Sequence, residues 1–281
     1  MPAGLSDQIL SAHRERRPLL MGIVNVTPDS FSDGGRYWRP DDALAHALKL
    51  VEEGADILDI GGESTRPGAQ AVPASQELER VLGVIENLVA QTAVPISIDT
   101  SKPEVMQAAV KAGAGMINDV HGLRSEGALE TAAALNVPVC IMHMQGQPRT
   151  MQRAPSYGNV VSEVADFLKE RATAALAAGI RPEHLVLDPG FGFGKTLAHN
   201  LSLLQHLEAL REPGWPLLVG ISRKSMLGAI TGRENTEERL PASLAAALLA
   251  AQRGAAILRV HDVAATRDVL AVLNAIADAP Q

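Results

Sequence analysis

The chain has 281 residues, 46% hydrophobic and 20% charged, a balance that suits a globular protein with a sizeable core and excludes a disordered one. A formal charge of −7 weighs against nucleic acid or an anionic membrane surface as a general partner. The single cysteine, Cys140, excludes an intrachain disulfide and a cysteine-rich zinc site.

Met1 to Pro18 is polar, carries Arg14, Arg16 and Arg17, and has no apolar run of the kind a signal peptide needs. It reads as an N-terminal extension, residues 1–18, to a single domain over residues 19–281. With no long uninterrupted apolar stretch and one thiol set in the apolar run Val137 to Met142, the expectation is a cytoplasmic protein without a membrane span.

Leu19–Val24 is uncharged and predicts a buried strand, which breaks into polar residues at Asn25; Pro28 forbids a continued ladder. A helix pattern over Asp42–Glu53 leads to a strand at Asp56–Ile60, and the alternation then repeats. Helix Ser75–Thr92 precedes strand Ile96–Thr100, and helix Pro103–Ala112 precedes strand Gly115–Asp119. Helix Glu126–Leu135, strand Val137–His143, helix Val160–Ala178 and strand Leu185–Asp188 follow. The last stretch reads as helix Asn200–Leu210, strand Leu217–Ser222, helix Thr236–Arg253, strand Ala256–Val260 and helix Val263–Ile276. About eight β-then-α units in a chain of this length predict an α/β fold, a (β/α)₈ TIM barrel, with a doubly wound sheet as the alternative. Aromatics make up only 3%, so the core must be aliphatic, as parallel strands under helices require.

Groups that bind or ionise gather at the strand ends. Asn25, Asp59, Asp99, Asn118, Asp188, Lys224, Arg259 and His261 all lie at or just past a C-terminal tip, the active end of such a barrel. In Ile96-Ser97-Ile98-Asp99 the period of two puts Asp99 opposite the isoleucines and into the barrel, and Val186-Leu187-Asp188 does the same for Asp188. Two such carboxylates suit an acid/base pair, a clamp on an amidine-like edge, or a structural ion pair. Arg259 and His261 lie two residues apart before the last helix, and Ser222-Arg223-Lys224-Ser225 adds positive charge, which suggests a phosphate cradle. Asp188-Pro189-Gly190-Phe191-Gly192-Phe193-Gly194-Lys195-Thr196 ends like a Walker A loop, but Pro189 stands where its first glycine belongs. No metal-ligand spacing appears among the eight histidines, so any metal would be a hard cation held mainly by substrate oxygens. The connections after Val24, from Gly61 to Ala74, and from His143 to Asn159 are long enough to be functional.

Taken in order, Gly22–Gly35, Asp59–Pro67, Ser97–Thr100, Ile117–Val120, Met142–Gly146, Asp188–Lys195, Ser222–Ser225 and Arg259–His261 closely resemble the motifs of bacterial dihydropteroate synthases. The resemblance covers the chain after about Pro18. It implies condensation of 7,8-dihydropterin-6-ylmethyl diphosphate with p-aminobenzoate, giving 7,8-dihydropteroate and pyrophosphate for folate biosynthesis. It further implies a pterin pocket of Asp99, Asn118, Met142, Asp188 and Lys224, with Arg259 over the ring. Asn25, Arg259 and His261 would hold diphosphate, with Asn25 ligating Mg²⁺. Phe31, Ser64, Thr65, Arg66, Pro67, Phe193, Ser222 and Lys224 would frame p-aminobenzoate, and Asp33 would order the first loop. Asp99, Asp188, Lys224, Arg259 and His261 would be the catalytic set. Sulfonamide sensitivity and a homodimer are also implied, with small molecules rather than nucleic acid or membrane as partners.

Overall fold

Strict in–out alternation along short, buried strands sets the architecture. The computed structural model describes residues 4–27, 40–65, 68–147, 150–211 and 214–279. The strands are β1 (Leu19–Asn25), β2 (Ile57–Gly61), β3 (Ile96–Asp99), β4 (Met116–Asp119), β5 (Val139–Met142), β6 (Leu185–Asp188), β7 (Leu218–Val219) and β8 (Ile257–Val260). All neighbours pair in parallel, in the order β6-β5-β4-β3-β2-β1-β8-β7, and a parallel bridge between Leu187 and Leu217 joins the two ends. The order runs round the sheet without reversing, so the fold is a (β/α)₈ barrel and the doubly wound alternative falls.

The helices are α1 (Leu5–Glu15), α2 (Pro40–Glu52), α3 (Ala74–Gln91), α4 (Pro103–Lys111), α5 (Ala128–Leu135), α6 (Val160–Ala177), α7 (Leu197–Gln205), α8 (Ser225–Thr231), α9 (Leu240–Gln252) and α10 (Val263–Ala277). Outward strand residues such as Leu58, Ile60, Ile98, Ile117, Ile141 and Leu187 join the core beneath this ring. Gly22 lies where α2 and α10 come closest to β1: an added Cβ would sit 3.0 Å from Leu50 Cδ1 and 3.4 Å from Val263 Cγ2. Among the described residues no helix is long and apolar enough to cross a membrane.

Inside the barrel, Met21, Ile57, Met116, Cys140, Val186, Leu218 and Ile257 form a separate apolar floor. Burial pushes the Cys140 thiol far up and keeps it protonated. Two residues further along these strands the inward positions become Asp59, Asn118, Met142, Asp188 and Arg259, with Asp99 beside them and Asn25 four residues beyond Met21. One period of two therefore yields both a sealed floor and a polar mouth.

Several boundaries differ from the sequence reading. Within the N-terminal extension Leu5–Glu15 is the helix α1, and its Ile9 packs into the floor cluster. The expected strand Val137–His143 shortens to β5, since Pro138 has no N–H for the ladder. The expected strand Leu217–Ser222 shortens to β7, and Arg223 just beyond it takes a left-handed conformation with φ 59°. The stretch Asn200–Leu210 divides into α7 and a 3₁₀ turn at Leu207–Arg211, and α9 is preceded by a 3₁₀ turn at Glu237–Arg239. Helix α8 was not anticipated.

Ile9→Ala should open a cavity beneath the floor and destabilise the protein by about 2–4 kcal/mol. Urea denaturation should show the lowered midpoint, while turnover in dilute buffer stays near that of the unaltered protein because the mouth is not touched.

Candidate active site

At the centre of the mouth Arg259 reaches across from β8 to two carboxylates. Its Nε donates to Asp59 Oδ2 at 2.6 Å and its Nη2 to Asp99 Oδ2 at 2.8 Å, which leaves Nη1 outside both bonds. Asn118 Nδ2 donates to the same Asp59 oxygen at 3.0 Å. Burial pushes Asp99 up to about 8 even though Arg259 pulls the other way. Burial alone would loosen the Arg259 proton, but Asp59 and Asp99 outweigh it and hold the guanidinium charged. Asp119, on the same strand as Asn118, faces outward and is consumed by the β4–α5 turn. It accepts from Ser101 Oγ and from the His121 and Leu123 backbone N–H groups at 2.8 Å each.

Opposite lies Asp188, whose Oδ1 accepts from Gly190 N at 2.7 Å. Burial raises its pKa, opposed chiefly by Lys224. Lys224 donates to the Phe191 carbonyl, and its ammonium stands 4.5 Å from the centre of the Phe193 ring. Burial lowers Lys224 to about 8. Val120, Met142, Met144 and Met151 form an apolar wall with Phe193 packed on it. At the rim, Ser222 Oγ and His261 Nδ1 are 3.0 Å apart. Asp59 thus binds two mouth residues at once, Asn118 and Arg259.

Residues 21–261 match the family described as pterin binding enzyme. A dihydropteroate synthase of Haemophilus influenzae is 52% identical over 93% of this chain and 95% of its own length. The chain belongs to the dihydropteroate synthase family. It superposes on a Xanthomonas albilineans dihydropteroate synthase with 4-aminobenzoic acid at a TM-score of 0.90, with 61% identity and 94% of each chain covered. A second structure from that organism, in complex with 7,8-dihydropteroate, gives a TM-score of 0.86 and 58% identity over 94% of this chain and 95% of the other. The protein is accordingly a dihydropteroate synthase-type enzyme of folate biosynthesis.

The synthase motif that resembles a Walker A loop does something other than hold phosphate. Lys195 is buried, and its Nζ donates to the carbonyls of Gly190 (2.9 Å) and Phe193 (3.0 Å) and to His143 Nδ1 (2.8 Å). Gly190 passes so close to the β5 end that a Cβ there would lie 1.9 Å from the His143 carbonyl. The lysine is a brace inside the β6–α7 turn. Burial, with Lys195 and Arg124 nearby, drops His143 to about 3, so the ring is neutral and free to accept.

The sequence reading is brought together in part. Asp99, Asn118, Met142, Asp188, Lys224 and Arg259 line one mouth, with Phe193, Ser222 and His261 at its rim and Asn25 ending β1. Ser64 and Thr65 begin the β2–α3 connection. Phe31, Asp33, Arg66 and Pro67 lie outside the described residues. One expectation is corrected: Arg223 is not free positive charge for a phosphate, because it forms a two-pronged pair with Asp262 at 2.5 and 3.0 Å. Asp59 and Lys195 were noticed in the sequence but given no role. Asp59's inward place in the period of two was the available signal.

The His143–Lys195 contact predicts an acid sensitivity. Below pH 6.5 the unfolded chain takes up a proton that the folded ring refuses until about pH 3, so stability is lost as pH falls through that window. His143→Gln should remove roughly 1.4 kcal/mol per pH unit of this slope. Urea midpoints measured at several pH values across the window would show a shallower decline for the variant than for the unaltered protein.

Proposed function

We propose that the mouth condenses 7,8-dihydropterin-6-ylmethyl diphosphate with p-aminobenzoate, the pterin lying deep and the arylamine at the rim. The observation that carries this is the group of fixed acceptors and donors around Arg259: Asp59, Asp99 and Asn118 on one side, Asp188 and Lys224 on the other. Such a set is complementary to a flat ring with nitrogens along its edge. Asp188 and Asn118 bind that edge, Met142 packs against the ring, and Arg259 covers it. Asp99 Oδ2 is taken by Arg259, which leaves Oδ1 to accept from a ring N–H.

Asn25, Arg259 Nη1 and His261 hold the diphosphate. Among the described residues no group of three or more His, Cys, Asp or Glu could form a metal cage. A single amide oxygen from Asn25 nevertheless fits a magnesium ion that keeps waters and takes substrate oxygens. Bound there, Mg²⁺ would neutralise charge on the departing diphosphate.

The methylene C–O bond breaks first and its electron pair leaves with diphosphate. Asp99 and Asp188 stabilise the positive charge that spreads into the ring, and Arg259 and His261 stabilise the leaving group. The neutral arylamine nitrogen then attacks the methylene and afterwards sheds one proton, so no side chain need act as its base. Ser64, Thr65, Phe193, Ser222 and Lys224 frame p-aminobenzoate. The enzyme works in the cytoplasm as a homodimer, which light scattering would check.

Purified protein given both substrates should release pyrophosphate and dihydropteroate in equal amounts. Asp188→Ala should weaken pterin binding by about 2–5 kcal/mol, a loss that calorimetry on the folded variant would register. Near-normal affinity would remove Asp188 from the pocket.

Sulfonamides should inhibit in competition with p-aminobenzoate, whose shape and anilino nitrogen they share. Steady-state inhibition plots that instead show competition with the pterin would separate Thr65 and Phe193 from the arylamine site.

A further inference from the structure

Glu63, directly before Ser64 and Thr65, uses both carboxylate oxygens to fasten the β2–α3 connection. Oε1 accepts the backbone N–H of Val72 at 3.0 Å, nine residues on, and so ties the start of the connection to its end. Oε2 accepts from Lys102 Nζ, just beyond β3. Lys102 also donates to Glu77, a fully buried residue in the first turn of α3. Arg80 Nη1 adds a bond to the Gly62 carbonyl at 2.6 Å. Gly62 itself leaves no slack: an added Cβ would lie 2.8 Å from Val81 Cγ1 and 3.0 Å from Glu77 Cγ. The entry to the connection is thus pinned to α3 on one side and to the start of α4 on the other.

We propose that Glu63 is a positioning residue for p-aminobenzoate, its carboxylate acting as a clasp that holds Ser64 and Thr65 at the rim. This rests on the assignment of those two residues to the arylamine site. A clasp of this kind acts by preorganisation: the ordering of the connection is completed before the ligand arrives. The charges also single out Glu63 from its neighbours. Two carboxylates share one ammonium, so removing Glu63 leaves the neutral pair Lys102–Glu77, whereas removing Lys102 would strand a buried carboxylate. Burial works against the Lys102 charge, but its bonds to Glu63 and Glu77 raise its pKa overall and keep the clasp closed at neutral pH.

The test is steady-state kinetics on Glu63→Ala, Glu63→Gln and Thr65→Ala in the full chain. Glu63→Ala should raise KM for p-aminobenzoate at least tenfold and leave KM for the pterin diphosphate within twofold, with a thermal midpoint close to the unaltered protein. Glu63→Gln keeps an acceptor for the Val72 N–H and should recover part of the loss. A folded Glu63→Ala with unchanged KM for p-aminobenzoate, beside a Thr65→Ala that raises it, overturns the clasp and spares the site. Unchanged values in both variants overturn the site assignment and the clasp with it. A parallel rise in both KM values also overturns the proposal, since that is general loosening. Should Glu63→Ala fail to fold, Glu63→Gln should still raise KM for p-aminobenzoate alone, and an unchanged value overturns the clasp.

Discussion

An arginine held between two aspartates governs the mouth of this barrel. Arg259 comes from the last strand, Asp59 and Asp99 from the second and third, and the two bonds bind these strands across the interior. Without the guanidinium, Asp59 and Asp99 would face one another with little water to screen them, and one would have to carry a proton. With it, Asp59 also fixes Asn118, so four strands contribute to one rigid polar surface. The geometry that ligands meet is therefore set by the protein before they arrive.

That arrangement was legible in the sequence to the extent that it depends on local periodicity. Asp99 and Asp188 point inward because Ile98 and Leu187, just before them, face the outer core, and alternation requires it. The same rule separates Asn118 from Asp119, which the structure puts on opposite faces. What local pattern does not carry is the choice of partner. Nothing near Asp59 announces an arginine two hundred residues away, and nothing near Arg223 announces that Asp262 will take up its charge. The role of Lys195 was hidden for a related reason. Glycines and a lysine at phosphate-loop spacing are compatible with an outward-facing ammonium or a buried one, and the decision lies with His143 on the neighbouring strand. Helix α1 was missed because its apolar residues are few, and only Ile9 and Ala12 are buried.

An acidic protein that handles anions must place its cations with care. Here Lys195, Lys224, Arg223 and Arg259 each have committed partners: carbonyls for the lysines, carboxylates for the arginines. Carbonyl partners do not cancel a lysine's charge, so the positive charge of Lys224, which burial works against, is offset mainly by Asp188 beside it. Carboxylate partners offset part of an arginine's charge and fix its direction, and in Arg259 they leave Nη1 outside both bonds.

The packing of Ile9 against the barrel floor has a consequence for traffic. Among the described residues the interior is walled at one end by α1 and seven apolar side chains, which leaves the strands' C-terminal end for approach. Everything that reacts must pass the same rim, on which Ser222, Lys224, Ser64 and Thr65 stand above Asp59, Asp99 and Asn118. On the proposed arrangement, an arylamine seated first at the rim would block the deeper place, so the pterin would arrive first and the joined product would leave past the rim.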